Sequence, residues 1–72
     1  MGRPVKRSLT LKGHRTSVTL EDEFWRAFRD IAAENGRALN DLASEIDAER
    51  DADTGLASAI RVFVLAHYRH GH

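Results

Sequence analysis

The most constraining feature of this chain is a strand-like run at residues 15–20 that leads directly into the acids at residues 21–23. The alternation before Leu20 predicts a half-buried strand, and the acids favour a helix start immediately after it. Extended residues are predicted only ahead of the helices. Because a short strand with unpaired edges is unstable in water, we expect it to pair with the same strand of a second chain.

Chain length and composition also favour self-association. The 72 residues form one small domain, and a core of this size is marginal without a disulfide, a metal or oligomerisation. The sequence contains no cysteine, which excludes disulfides and thiolate metal sites and favours a reducing compartment. No apolar segment follows the first basic residues, so we expect no signal peptide and a cytoplasmic location.

Charge is distributed unevenly although the formal net charge is zero. All acids lie between Glu21 and Asp53, whereas residues 1–20 are basic. A basic segment beside an acidic body can present a local positive surface. We predict that residues 1–7 form a flexible basic arm, residues 8–69 the folded domain, and residues 70–72 a disordered tail.

The residues before the first helix have two interpretations. Residues 8–20 are predicted to be extended, with a break near Gly13. Glycine there could close a hairpin or mark a bulge in one longer strand. The sequence leaves both alternatives open.

Three helices are predicted after the extended region. The first begins at Glu21 or Asp22 and ends at the Asn35-Gly36 pair, a typical helix stop. The second covers residues 39–50, and the third covers residues 56–68. The third is apolar on nearly all sides, which is typical of a helix buried in a core or between subunits. The predicted dimer core consists of Val18, Leu20, Phe24, Phe28, Ile60 and Phe63.

Three separated segments resemble the ribbon-helix-helix family of DNA-binding proteins, and in particular a small bacterial branch with an extra C-terminal helix. The first runs from Gly13 to Glu21 and is followed by Phe24-Trp25. The second, residues 33–37, is similar to the turn between the first two helices of Arc-type repressors. The third, residues 56–64, is similar to the last helix of this branch. The resemblance covers roughly residues 8–69.

The resemblance implies a mainly α fold with a short N-terminal β-strand and three helices per chain. Two chains would form an intertwined homodimer whose intermolecular antiparallel β-ribbon enters the DNA major groove. With Val18 and Leu20 facing inward, the side chains that alternate outward are predicted to contact bases: Arg15, Ser17 and Thr19. Predicted phosphate contacts are Lys6, Arg7 and Lys12.

In this family the start of the second helix also grips phosphate through backbone amides. The matching residues are Leu39 and Asn40. Ala38 stands where Ser or Thr usually caps the helix, and the acid Asp41 follows. A second candidate is Thr54-Gly55 before the third helix, which also follows acids, at residues 51 and 53. The sequence does not decide which helix corresponds to the family's second.

Other functions find less support in the residues. His67, His70 and His72 have a spacing that metal ligands can use, but no carboxylate lies near them in sequence, and we predict neither a metal nor a cofactor. No phosphate loop or nucleophile motif is present, so we expect no enzymatic activity. The alternative function is a homodimeric protein-interaction module, such as an antitoxin or adaptor, that uses the acidic stretch at residues 41–53.

Overall fold

The computed structural model describes residues 2–70 and contains a two-stranded sheet followed by three helices. The strands are β1 (Val5–Leu11) and β2 (His14–Leu20), and the helices are α1 (Asp22–Glu34), α2 (Leu39–Glu49) and α3 (Leu56–Arg69). The predicted order of an extended region and three helices is therefore confirmed, with each helix beginning within one residue of its expected start.

The extended region is a hairpin, which resolves the two alternatives that the sequence left open. β1 and β2 pair antiparallel, and Leu11 lies opposite His14 across the turn. Both turn residues have positive φ, 52° at Lys12 and 83° at Gly13. Positive φ at both central positions is the mark of a type I′ turn, whose twist matches that of paired strands. The strand therefore finds its partner within one chain, and the inference that it needs a second chain for pairing is corrected.

The predicted bounds of the terminal segments also change. Residues 5–7 belong to β1, so the prediction of a flexible arm at residues 1–7 is wrong for these three. Strand pairing explains the difference, because Val5 lies opposite Leu20 and Arg7 opposite Val18. Of the predicted tail, His70 caps the end of α3 through its backbone N–H, while residues 71 and 72 lie outside the described residues.

The core lies between one face of the hairpin and the three helices. Its most deeply buried large side chains are Leu20, Phe28, Ile31 and Ile60. Val18 is 4% exposed. Four of the residues predicted to form a dimer core, Val18, Leu20, Phe28 and Ile60, are thus buried by their own chain, and their place in a dimer stays a prediction. Phe24 and Phe63 are partly buried and pack against the same core.

Helix ends fix how the helices turn beneath the hairpin. After α1 the chain reverses at Gly36, whose φ of 64° suits glycine, and the N–H of Arg37 donates to the carbonyl of Ala32. α2 starts after Ala38 with no side-chain cap. Within the described part of the chain, no helix has the length and apolar character needed to cross a membrane.

Candidate functional site

Alternation along both strands gives the hairpin two different faces. One face packs on the helices through four buried side chains, Leu9, Leu11, Val18 and Leu20. We call the opposite side the outward face, and it is exposed at every position. The outward face consists of Lys6, Ser8, Thr10, Arg15, Ser17 and Thr19.

The pairing register sets the outward side chains in three cross-strand pairs. Lys6 lies opposite Thr19, Ser8 opposite Ser17, and Thr10 opposite Arg15. The three predicted base contacts are therefore brought together on one surface, as the alternation of β2 predicted. Ser8 and Thr10 also belong to this surface, although they are not among the predicted site residues. Their alternation with Leu9 and Leu11 was a usable signal, but only the register shows which β2 residue each one faces.

Ion pairs neutralise the cations of the molecule selectively. Five of the 11 Lys and Arg side chains lie within 4 Å of an acid carried by or next to a helix. Among the described residues, six have no ion pair, and four of these precede residue 20: Arg3, Lys6, Lys12 and Arg15. Residues 1–20 also contain no acid. The hairpin therefore keeps an uncompensated positive charge although the whole chain is neutral.

Arg7 is the predicted phosphate contact that lies away from the outward face. It sits on the helix-facing side of β1, where one Nη donates to the carboxylate of Asp22 at 2.8 Å. Its guanidinium lies over the ring of Trp25, 5.4 Å from the centroid. The contact anchors β1 to the first turns of α1. Lys6 and Lys12, in contrast, are exposed on the outward face and at the turn.

The outer edge of β1 is covered at Thr10 by the start of α2. In an antiparallel ladder, alternate residues point their backbone groups away from the partner strand. Thr10 is such a residue, and its N–H donates to Oδ1 of Asn40 at 3.1 Å. Leu39 is half-buried against the core. The two residues predicted as a phosphate clamp thus hold α2 against β1. Their own N–H groups have no helical acceptor, whereas that of Asp41 donates to the carbonyl of Ala38 at 3.1 Å.

The outer edge of β2 is covered at one end only. Arg61 of α3 donates to the carbonyl of Thr19 at 3.4 Å and to the carboxylate of Glu21 at 2.9 Å. The hydrogen bond from Arg61 to the carboxylate of Glu21 holds the pKa of that carboxylate below its usual value. Arg15 and Ser17 occupy the alternate positions of β2 whose backbone N–H and C=O groups point away from β1. No backbone partner contacts them within residues 2–70, so this part of the β2 edge is open.

A second exposed surface lies on α3. Val62, Leu65 and Tyr68 recur every three residues and are 65%, 55% and 44% exposed. Beside them a groove is lined by Ile46, Phe63 and acidic residues at the end of α2. His67 lies 3.5 Å from Glu34, and the described residues contain no cluster of His, Asp or Glu that could hold a metal ion.

Comparison with known proteins identifies one family. A family model described as a ribbon-helix-helix domain matches residues 4–68, which include both strands and nearly all of α3. Neither a curated protein nor a solved structure matches the chain.

Proposed function

We propose that this chain, which belongs to the ribbon-helix-helix family, binds specific sequences in double-stranded DNA as a homodimer and acts as a small transcriptional regulator. The observation that carries the proposal is the outward face. It is exposed, free of acids, and bears the uncompensated cations Lys6 and Arg15. Because the net charge of the chain is zero, this surface can attract a polyanion locally, while the rest of the molecule does not.

The residue types on β2 suit contact with base edges. Arg15 can donate two hydrogen bonds to N7 and O6 of guanine. Ser17 and Thr19 can donate to or accept from bases, and the methyl group of Thr19 can contact thymine. All three side chains alternate to the same side of one strand, so they can enter a groove together. Lys6 and Lys12 would contact phosphates, which position a protein without distinguishing sequence.

The open edge of β2 supports a dimer joined through this strand. Ribbon-helix-helix domains generally dimerise and bind DNA. Here the backbone groups of Arg15 and Ser17 are available for antiparallel pairing with a second β2, whereas the start of α2 covers β1 at Thr10. Pairing of the two β2 strands would double the outward face and give it two-fold symmetry. Such a face suits a palindromic DNA site.

DNA binding is tested by selection of bound duplexes from a random pool, followed by affinity measurements over a salt series. We expect a palindromic motif and an affinity that falls steeply with salt, because bound counterions are released from DNA. Absence of binding to any duplex at low salt would refute the proposal. Binding without sequence preference would reduce it to a general DNA coat.

The mode of dimerisation is tested with two proline variants at directly opposed serines. Ser17→Pro removes an N–H that points out from β2, and Ser8→Pro removes one that points out from β1. Neither N–H takes part in the hairpin ladder, so both variants should fold. We expect Ser17→Pro to be monomeric by sedimentation at micromolar concentration, while Ser8→Pro stays dimeric. Dimers in both variants would place the interface elsewhere.

The α3 surface favours a second candidate function, a homodimeric protein-interaction module such as an antitoxin or adaptor. Exposed Val62 and Leu65 adjoin a groove that Glu49 and Asp51 also line. Arg50 lines the same groove but is paired with Asp47, so the two acids leave a negative rim that suits a basic amphipathic segment of a partner protein. Leu65→Asp would abolish partner binding under this hypothesis but leave DNA affinity unchanged under the first.

A further inference from the structure

The hairpin makes each chain two strands wide, and this width decides where β1 can lie on DNA. Adjacent strands are about 4.8 Å apart. If two copies pair through β2, as the proposed function requires, the sheet has the strand order β1-β2-β2-β1 and the two outer strands are about 14 Å apart. The DNA major groove is about 12 Å wide and admits a two-stranded ribbon. Four strands therefore exceed the groove before any side chain is added.

The two central strands alone can enter such a groove, which leaves β1 of each chain above the sugar-phosphate walls. We infer that β1 is a phosphate-binding strand, in which Ser8 and Thr10 join Lys6 in hydrogen bonding to the DNA backbone. This inference rests on the proposed function and assigns a different role to each strand. β2 distinguishes sequence, and β1 positions the sheet over the groove.

The residues of β1 have the chemistry that this location requires. Lys6 carries a charge with no ion pair within the described chain. Ser8 and Thr10 present exposed hydroxyl groups that can donate to a phosphate oxygen. None of the three carries a guanidinium, and the hydroxyl groups of Ser8 and Thr10 are of the same kind as those on β2, so the width of the sheet and not the side-chain type assigns them to phosphate. The only guanidinium of the outward face is Arg15, on β2.

The position of α2 agrees with a backbone location for β1. Asn40 in the first turn of α2 accepts from the N–H of Thr10, so this helix start borders the outer edge of β1. The N–H groups of Leu39 and Asn40 lack helical acceptors. That of Asp41 donates to the carbonyl of Ala38. The strand and two free amides thus lie side by side, on the flank away from β2. Asp41 is an exposed acid of the same turn, so contact with phosphate on this flank depends on β1.

The test uses the matched pair Ser8→Ala and Ser17→Ala, which remove the same hydroxyl from directly opposed positions. Affinities of the full chain are measured for the selected duplex and for its single-base variants. We expect Ser17→Ala to change the preference at one base pair in each half-site. We expect Ser8→Ala to weaken binding to all duplexes equally, by about tenfold, because a hydrogen bond to a charged group is lost.

Two further measurements, salt dependence and binding to modified DNA, would not change if the β1 residues only stabilised the fold. Lys6→Ala should make the slope of log affinity against log salt shallower by about 0.9 for each phosphate released. In a duplex with neutral methylphosphonates at the groove walls, wild type should lose affinity. Ser8→Ala and Lys6→Ala should lose less, because the contact is already absent.

Three outcomes separate the possibilities. If Ser8→Ala alters base preference as Ser17→Ala does, β1 lies inside the groove and the hairpin of one chain contacts the bases by itself. If Ser8→Ala and Lys6→Ala leave affinity and salt slope unchanged, β1 does not touch DNA; either result overturns the inference while the proposed function stands. If wild type binds no duplex at low salt, both fail together.

Discussion

The hairpin and the helical body of this chain contain similar cations but pair them differently. In the helical body, Arg37 contacts Glu45 and Arg50 contacts Asp47, each at 2.8 Å. On the outward face of the hairpin, Lys6 and Arg15 form no ion pair within the described residues. The difference shows that a net charge of zero describes neither region. In the helical body, charged side chains stabilise the fold by pairing with each other, whereas on the outward face the cations remain available to bind a partner.

Arg7 marks the boundary between the two regions. It belongs to the hairpin by sequence but faces the helices, where it contacts Asp22 and the ring of Trp25. Lys6, one residue earlier, faces solvent. Neighbouring cations in one basic segment therefore have separate roles, because successive side chains of a strand point to opposite faces.

The largest expected effect is on stability, from Phe28→Ala in the helical body. Phe28 is fully buried and its ring lies 6.4 Å from Trp25 and 6.3 Å from Phe63. Its truncation should lower the free energy of unfolding by about 3–5 kcal/mol in urea denaturation. As a control, Ser17→Ala on the outward face should change it by less than about 0.5 kcal/mol. Equal losses would erase the distinction between the two regions.

The next largest effect is on DNA recognition, from Arg15→Ala. Loss of its bidentate contact should remove about 1–3 kcal/mol of discrimination between the selected duplex and a single-base variant. The mass of the dimer and its unfolding midpoint should stay unchanged. The matched control is Arg29→Ala, which removes an exposed cation without an ion pair from the helical body. A similar loss of discrimination in both would show that total charge, and not the outward face, governs binding.

A smaller effect is expected at the hairpin turn, where one substitution should raise the stability of the fold but weaken DNA binding. Lys12 has φ of 52°, and type I′ turns favour Asn followed by Gly. Lys12→Asn should therefore raise the free energy of unfolding by up to about 1 kcal/mol. It should also weaken DNA binding and make its salt dependence shallower, because a phosphate contact is removed. Lys12→Gln removes the charge but keeps the turn strain, so stability should not rise. Tighter DNA binding by Lys12→Asn would contradict a role for this cation.

The smallest effect concerns pH and the contact between the two regions. The hydrogen bond from Arg61 keeps the pKa of Glu21 below its usual value, so folding favours the charged carboxylate. The resulting stabilisation is complete above the usual glutamate pKa and is lost as the pH falls through the lowered one. In thermal melts, the difference between wild type and Glu21→Gln should therefore shrink on acidification. The control Glu23→Gln removes a neighbouring acid that has no ion pair among the described residues, and at neutral pH it should lower the melting temperature less than Glu21→Gln does.

Much of the fold was predictable because its signals are local. Three acids mark the start of α1, Asn35-Gly36 marks its end, and apolar spacing gives α2 and α3. The same holds for the outward half of β2, since alternation alone assigns Arg15, Ser17 and Thr19 to one face. The pairing partner of this strand was not predictable, because a glycine between two extended segments fits a hairpin and a bulge equally well.

Local sequence patterns were enough to assign the helical residues, the side chains of each strand that share a face, and the absence of acids from the first 20 residues. Each of these properties depends on neighbours a few positions apart. Three further features required the folded structure: the pairing of β1 with β2, the partial cover of the two hairpin edges by Asn40 and Arg61, and the ion pair of Arg7, which Lys6 lacks. These contacts join residues far apart in the chain. They depend on how the helices pack beneath the hairpin, and local sequence patterns do not specify that packing.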